Sequence, residues 1–305
     1  MKIVFMGTPE FAVPILEALH ERYEVVLVVS QPNRIKKKNE MVETPVCACA
    51  KRLGLTVFQP EKLKDSYEPL VEAKADILVT AAYGQYVPSK ILNLFQKTLN
   101  VHGSLLPAYR GGAPIQRAIM NGEKTTGITI IEMAKKLDAG KMYAKKECPI
   151  LDTDNSKALF EKLSIIGRDL LLEVIEDVYL GKLEGIVQDE ALVSYAPNLS
   201  KEEERIDFNK PAYLVARHIQ GLSLDPGAYF MFHDQNFKVL KATAVADDSN
   251  ALPGTILSLK KKFLVKTLEG AVELDWIIAP GKKMLDVKSF VNGQKFFKEL
   301  DVISC

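Results

Sequence analysis

Short apolar runs alternate with helical periodicities through the first half of the chain. Lys2 to Met6 and Glu24 to Val29, apolar after their first residue, are runs of strand length. Between them, Pro9 to Arg22 places Ala12, Ile15, Leu16 and Leu19 on one helical face. Thr44 to Leu53 and Ser89 to Phe95 predict two more helices, and Asp76 to Ala81, Thr98 to Val101 and Thr126 to Met133 further strands. Strands that are apolar throughout and separated by helices predict an α/β domain, a mostly parallel sheet with helices on both faces. Asn155 to Leu180 then carries Leu159, Leu163, Ile166, Leu170 and Ile175 at helical spacing, a long helix that closes this domain.

From Gly181 to Arg205 the periodicity lapses into charged and turn-forming sequence, and beyond it the pattern changes. One helix over Pro211 to Gln220 precedes short strands at Tyr229–Phe232, Lys238–Ala246, Gly254–Ser258, Phe263–Thr267 and Val272–Ile278. Short strands separated by turns predict a small C-terminal β-barrel. The expected division is a first domain over 1–188, a linker over 189–206 and a second domain over 207–305.

Composition narrows the class without naming a function. The 305 residues are 47% hydrophobic and 26% charged, ordinary for a globular enzyme. Forty basic side chains stand against 39 acidic ones, so a nucleic-acid partner has to be met by local patches. From Arg205 onward the balance is 14 Lys and Arg against 11 Asp and Glu, with clusters at Lys260–Lys262 and Lys282–Lys283. The N-terminal run turns after six residues and has no basic leader, which reads as a strand and not a signal peptide. No apolar stretch is long enough for a membrane helix. Cys47, Cys49, Cys148 and Cys305 have no metal-ligand spacing and read as reduced thiols of a cytoplasmic protein.

The first βα turn, Met6-Gly7-Thr8-Pro9, lacks the G-x-G-x-x-G of a dinucleotide site, and no phosphate-cradling G-x-x-x-x-G-K-[ST] occurs. The informative stretch is Asn100 to Pro114, NVHGSLLPAYRGGAP. An N-x-H pair at a strand end shares one face of the pleat, and carboxyl ends of strands are where open α/β sheets bind ligands. A carboxamide beside an imidazole suits acyl transfer to an amine. An N–H of Asn100 or His102 can hold the oxyanion, one such donor lowering a barrier by ~3 kcal/mol. Histidine is also the natural acid or base near neutral pH. His20, His218 and His233 have no such neighbours and read as structural. Asp138, in MAKKLDAG, is the third candidate, although its spacing alone reads as a solvated turn aspartate.

Beyond these residues the chain resembles, nearly end to end, the formyltransferase family that uses 10-formyltetrahydrofolate. The matching segments are FMGTPEFA (Phe5–Ala12), NVHGSLLPAYRGGAPIQ (Asn100–Gln116), TGITI (Thr126–Ile130) and LDAG (Leu137–Gly140). YAPNLSKEEERIDF (Tyr195–Phe208), DPGAY (Asp225–Tyr229) and LPGTI (Leu252–Ile256) narrow the likeness to members that act on charged tRNA. The resemblance implies a Rossmann-like catalytic domain that binds folate and a second domain resembling an OB-fold. It assigns Asn100, His102 and Asp138 to a catalytic triad and Ser104, Leu105, Leu106 and Pro107 to the folate loop. The formyl acceptor it implies is methionyl initiator tRNA, at translation initiation in the cytoplasm, with no metal and no obligate protein partner. The family's glycine-rich basic tRNA loop is replaced here by QPNRIKKKNEMVETP (Gln31–Pro45), which keeps Arg34, Lys36, Lys37 and Lys38 as expected tRNA contacts but loses the glycines.

Two other readings stay open on the residues. One is a formyltransferase for a small amine, such as an amino-sugar nucleotide or a purine precursor. The other is a non-catalytic folate- or RNA-binding protein, for which an Asn, His and Asp set is unnecessary.

Overall fold

The structure, a computed structural model, describes residues 1–35 and 41–304. Its described residues pack as two units. Met1–Pro114, Thr125–Pro149 and Phe160–Pro197 make the first, and Ile115–Lys124, Ile150–Leu159 and Asn198–Cys305 the second. The chain therefore enters the second unit in two short excursions before Asn198, which a division in sequence order does not represent.

The strands up to Pro149 are β1 (Lys2–Gly7), β2 (Glu24–Val29), β3 (Arg34–Ile35), β4 (Met41–Val42), β5 (Val57–Phe58), β6 (Ile77–Ala81), β7 (Lys97–His102), β8 (Thr125–Glu132) and β9 (Met142–Pro149). The helices are α1 (Val13–Arg22), α2 (Pro45–Arg52), α3 (Glu68–Glu72), α4 (Ser89–Leu92), α5 (Pro114–Met120) and α6 (Ser156–Tyr179). Seven strands form one sheet in the order β5-β2-β1-β6-β7-β8-β9, while β3 and β4 pair separately. The five strands from β5 to β7 run parallel, and β8 and β9 are added antiparallel. Strand order reverses between β1 and β6, so the carboxyl ends of β1, β6 and β7 open on the crevice where such sheets bind ligands. Ile3, Val4, Phe5 and Met6 of β1 are fully buried, as a central strand covered on both faces requires.

Local chemistry sets the element boundaries. The helix expected over Pro9–Arg22 divides into a 3-10 turn at Glu10–Ala12 and then α1, since Pro14 in the first turn of α1 has no N–H for an earlier carbonyl. Thr44 caps α2 by accepting from Cys47 N at 3.2 Å. Strand β9 is missing from the sequence reading because its exposed Lys145, Lys146 and Glu147 hide the alternation. Charges of that kind protect a sheet edge from further pairing. Helix α6 lies close on β7, and a Cβ at Gly167 would stand 2.7 Å from Val101 Cγ1.

In the second unit α7 (Ala212–Leu222) precedes β10 (Ala228–Phe232), β11 (Gln235–Val245), β12 (Ile256–Ser258), β13 (Phe263–Lys266), β14 (Ala271–Ile278) and β15 (Leu285–Asp286), followed by α8 (Val287–Gly293). The strands pair antiparallel in the order β10-β11-β14-β13-β12, with β15 on β14. The C-terminal residues then bridge the two edges, Ser304 pairing with Met231 of β10 and Val302 with Thr255 beside β12. This curled, bridged sheet is the small barrel that the strand spacing predicts. Its core is aromatic: Phe230 stacks on Phe237 with centroids 5.5 Å apart, and Phe297 lies 4.8 Å from Phe237 and 5.2 Å from Phe263. Tilted and offset rings of this kind add to the stabilisation from burial alone.

Candidate active site

Strand β7 ends in the N-x-H pair. Asn100 lies opposite Thr80 of β6 and Ile131 of β8, and His102 lies opposite Thr129 of β8. Both side chains therefore share one face at the carboxyl end of a parallel strand. Thr80 Oγ1 donates to Asn100 Oδ1 at 2.9 Å. With its oxygen occupied, the Asn100 amide keeps its NH2 to donate to a substrate oxygen.

His102 is 5% exposed, and its Nε2 is 3.0 Å from the Tyr109 carbonyl. A carbonyl only accepts, so Nε2 carries the hydrogen and Nδ1 is the basic nitrogen of the neutral ring. Nδ1 faces Asp138 Oδ2 at 3.7 Å. That distance is too long for a hydrogen bond, so the carboxylate faces the basic ring nitrogen without bonding to it. Asp138 Oδ2 also accepts from Gly111 N at 2.9 Å, which fixes the carboxylate beside the loop.

Asp138 has a φ of 51°, a conformation that costs a non-glycine residue energy and needs support. The support is a side-chain relay. Gln188 Nε2 donates to Asp138 O at 2.7 Å and to Gly140 O at 2.8 Å. Gln188 Oε1 accepts from Arg110 Nε at 3.0 Å and Nη2 at 2.8 Å, and Arg110 Nη2 also reaches Glu190 Oε1 at 2.9 Å. Lys136 Nζ holds the other Glu190 oxygen at 2.8 Å. The Arg110 hydrogen bond, with Lys136 second, pulls the Glu190 carboxyl down to about 2. A fully buried guanidinium thus connects the turn carrying Asp138 to the loop that follows His102.

That loop is shaped from within. Ser104 Oγ donates to Ala108 O at 2.7 Å, and the buried Thr129 hydroxyl donates to Ser104 O at 2.7 Å while accepting from Leu106 N at 3.0 Å. Ser104 and Leu106 point into the protein, whereas Leu105 and Pro107 are partly exposed. Residues 186–196 run back along the first unit. Ile186 bridges Met142, Tyr195 bridges Arg110, and Ser194 Oγ accepts from Tyr109 N at 2.9 Å. Gly111 lies against this strap with a φ of 128°, and a Cβ there would stand 2.5 Å from Ala196 O. Only glycine fits both the angle and the approach.

The structure thus brings together Asn100, His102 and Asp138, and sets Ser104, Leu105, Leu106 and Pro107 beside them in the chain. Arg34 lies on β3 opposite Val42, while Lys36, Lys37 and Lys38 lie outside the described residues. Sequence reasoning missed Thr80, Thr129, Arg110 and Gln188. Arg110 carried a signal, being the one Lys, Arg, Asp or Glu in Asn100–Pro114. Gln188 carried none, standing inside the aperiodic stretch from Gly181 to Arg205. Among the described residues no group of three or more His, Cys, Asp or Glu is arranged to hold a metal, and no helix is long and apolar enough to cross a membrane.

Comparison with known proteins agrees along the whole chain. Residues 1–175 match the formyl transferase family model, and residues 198–295 match the model of the formyl transferase C-terminal domain. A methionyl-tRNA formyltransferase of Lactobacillus acidophilus is 44% identical over 298 residues, which cover 96% of this chain and 95% of the relative. Among solved structures, a Helicobacter canadensis N-formyltransferase in complex with folinic acid and dTDP-3-aminofucose shares the fold with a TM-score of 0.68 at 19% identity, covering 92% of this chain and 98% of that one. HypX from Aquifex aeolicus, in complex with tetrahydrofolic acid, matches with a TM-score of 0.65 at 19% identity over all of this chain, which spans only 51% of HypX. On the sequence matches the chain belongs to the formyl transferase family, in its methionyl-tRNA formyltransferase branch.

Proposed function

We propose that the chain transfers the formyl group of 10-formyltetrahydrofolate to the α-amino group of methionyl initiator tRNA. The observation that carries this reading is the near full-length likeness to a methionyl-tRNA formyltransferase, and the Asn100, His102 and Asp138 geometry supplies the chemistry. In the transfer an N–C bond forms between the methionyl nitrogen and the formyl carbon, the bond from that carbon to the folate nitrogen breaks, and the proton given up by the attacking amine ends, by way of His102, on the departing folate nitrogen.

Each residue has a task that its contacts support. The Asn100 NH2, left free to donate by the Thr80 bond, faces the negative charge developing on the formyl oxygen. His102 Nε2–H is committed to Tyr109, so His102 takes the proton at Nδ1, and Asp138 stabilises the resulting imidazolium. Exclusion of water makes both charge interactions stronger than they are in solvent. For the folate, Leu105 and Pro107 offer apolar contact to a flat ring, while the inward bonds of Ser104 and Leu106 fix the shape of the loop. Arg34 and Lys36 to Lys38 are proposed phosphate contacts for tRNA, so binding weakens with salt as counterion release requires.

The test compares charged initiator tRNA, charged elongator tRNA, free methionine and an amino-sugar nucleotide as acceptors, with wild type and His102→Ala. Formylation of the initiator tRNA above the others, with turnover lowered at least about a hundredfold in the variant, is the expected result. Faster formylation of the sugar amine would transfer the reading to the small-amine class. Undiminished turnover in His102→Ala would remove the proton-transfer role.

A further inference from the structure

The second unit carries an open cavity of about 700 Å³ that has no part in the chemistry above. One wall is a stripe of α7, where Tyr213, Arg217 and Gln220 follow at helical spacing. The opposite wall is the β11–β14 ladder, which brings Lys241 and Trp276. These two are direct cross-strand partners, and the register shifts on both sides of Lys241. Such irregularities re-aim side chains and recur beside binding sites. Here the alternation of β14 breaks as well, and Trp276 is 38% exposed next to fully buried Ile277. Met284 completes the apolar surface.

Arg217 is the unusual group. It is 1% exposed, yet its hydrogen bonds go only to neutral oxygens: Leu151 O at 3.1 Å, Gln220 Oε1 at 3.0 Å and Glu123 O at 3.4 Å. Its Nε is buried without a partner, and its guanidinium carbon is 5.9 Å from the centre of the Tyr213 ring. Among the described residues no carboxylate forms an ion pair with it. A buried charge with no counterion is costly, and an anion brought into the cavity would relieve that cost. The one carboxylate on the rim, Asp152, is matched by Lys124 Nζ at 3.3 Å.

We propose that this cavity binds a nucleoside monophosphate group, its phosphate on Arg217 and Lys241 and its base against Trp276 and Tyr213. Two cations within one cavity suit a phosphate, and Arg in particular meets its oxygens with a planar fork. Exposed indole and phenol rings give a flat base a stacking surface. With Gln220 Oε1 held by Arg217, Asn155 Oδ1 by Ala158 N and the Thr243 hydroxyl donating to Asp275, the Asn155 NH2 and the second N–H of Gln220 Nε2 remain as donors for the edge of the base. The volume falls within the usual range of small-molecule sites, which is about 300–1,000 Å³. The ligand is either a free nucleotide or one residue of an RNA chain. The proposal does not depend on formyl transfer.

Trp276 is the sole tryptophan of the protein, so its fluorescence reports on this cavity alone. The full-length protein is titrated with the four nucleoside 5′-monophosphates, with inorganic phosphate, with unphosphorylated nucleosides and with a short RNA, and calorimetry is run alongside. Saturable quenching by monophosphates, weakened about tenfold or more in Lys241→Ala at unchanged melting temperature, is expected. Arg217→Lys, which keeps the charge but not the fork, should weaken binding less. Quenching by the RNA but not by free nucleotides supports the proposal with RNA as the source, and the reverse supports it with the free nucleotide. No saturable change at millimolar nucleotide overturns it. Phosphate binding as tightly as the nucleotides, or Lys241→Ala binding like wild type, overturns it too.

Discussion

Among the described residues, Arg110 in the first unit and Arg217 in the second are the two largest fully buried side chains, and their charges are handled in opposite ways. Arg110 makes a forked contact with Gln188 and an ion pair with Glu190, and through Gln188 it holds the turn carrying Asp138. Arg217 meets only neutral oxygens and an aromatic ring. A buried cation survives when something offsets its lost hydration. In the first case the protein supplies the counterion and gains a rigid link between two loops. In the second it supplies half of one, and the remainder is the basis of the proposed nucleotide site. Burial alone therefore says little about the purpose of a charge; the identity of its acceptors says more.

The sharpest break of the comparison is Arg110→Met. Methionine fills much of the same volume but leaves Gln188 Oε1 without a donor, Glu190 with Lys136 alone, and the Gln188 side chain that anchors the Asp138 turn without its hold. Leaving the buried Gln188 Oε1 without a donor costs about 1–3 kcal/mol, and that loss is expected in urea unfolding. Turnover should fall about a hundredfold as Asp138 leaves its place beside His102. Stability within about 1 kcal/mol of wild type would show that the relay is not what holds this turn.

His218, next to Arg217 on α7, shows a third solution, because it stays uncharged. Burial chiefly, assisted by Lys210 and opposed by Glu203 and Asp207, pushes it down from 6.5 to about 4. Above about pH 6.5 both the folded and unfolded forms are neutral. As the pH falls below that value the unfolded chain takes a proton that the folded one refuses, so stability drops, levelling off near pH 4. The loss attributable to His218 has a ceiling of about 3 kcal/mol. Urea unfolding followed by Trp276 fluorescence, at steps between about pH 7 and about pH 4.5, measures it. His218→Leu should remove that part of the slope, and an unchanged slope would assign it to other groups.

The sequence made the frame legible, and the residues show why. A short β-branched and aromatic run such as Ile3–Met6, ended by a turn, reads as a central strand, and Asn100 and His102 share a face because a strand alternates with period two. Asp138 was legible through resemblance alone, since its approach to His102 depends on Gln188, the last residue assigned to the first domain, reaching across to its turn. Strand β9 was obscured by its edge charges, and the excursions of Ile115–Lys124 and Ile150–Leu159 leave no mark in local periodicity. Arg217 is the clearest loss. On the sequence it reads as a polar residue of an amphipathic helix, and nothing local shows that its surroundings lack a carboxylate.

A milder perturbation separates the positioning role of the relay from its charge. In Gln188→Ala, Arg110 keeps Glu190, but the Asp138 and Gly140 carbonyls lose their donor. Leaving such groups unpaired costs about 1–3 kcal/mol. Turnover is expected to fall about tenfold with the KM for tRNA unchanged, because the substitution touches orientation and not binding. A rise in KM at constant turnover would place Gln188 in substrate binding instead. Gln188→Glu, which restores acceptors for Arg110 but no donor for the turn, should leave most of the turnover defect in place.

The smallest effect on stability is expected from Arg217→Met, the partner experiment to Arg110→Met. Replacing a buried charge by an apolar chain of similar size is often neutral or stabilising, because the desolvation cost vanishes with the charge. The carbonyls of Leu151 and Glu123 and the side-chain oxygen of Gln220 lose a donor, but Leu151 is exposed and Gln220 lines the open cavity, so water offsets part of that loss. The two terms oppose each other, and urea unfolding is expected to shift by less than about 1 kcal/mol in either direction. Nucleotide quenching of Trp276 should disappear in the same protein. A destabilisation matching that of Arg110→Met would mean that Arg217 is a structural anchor after all, and the contrast between the two buried arginines would collapse.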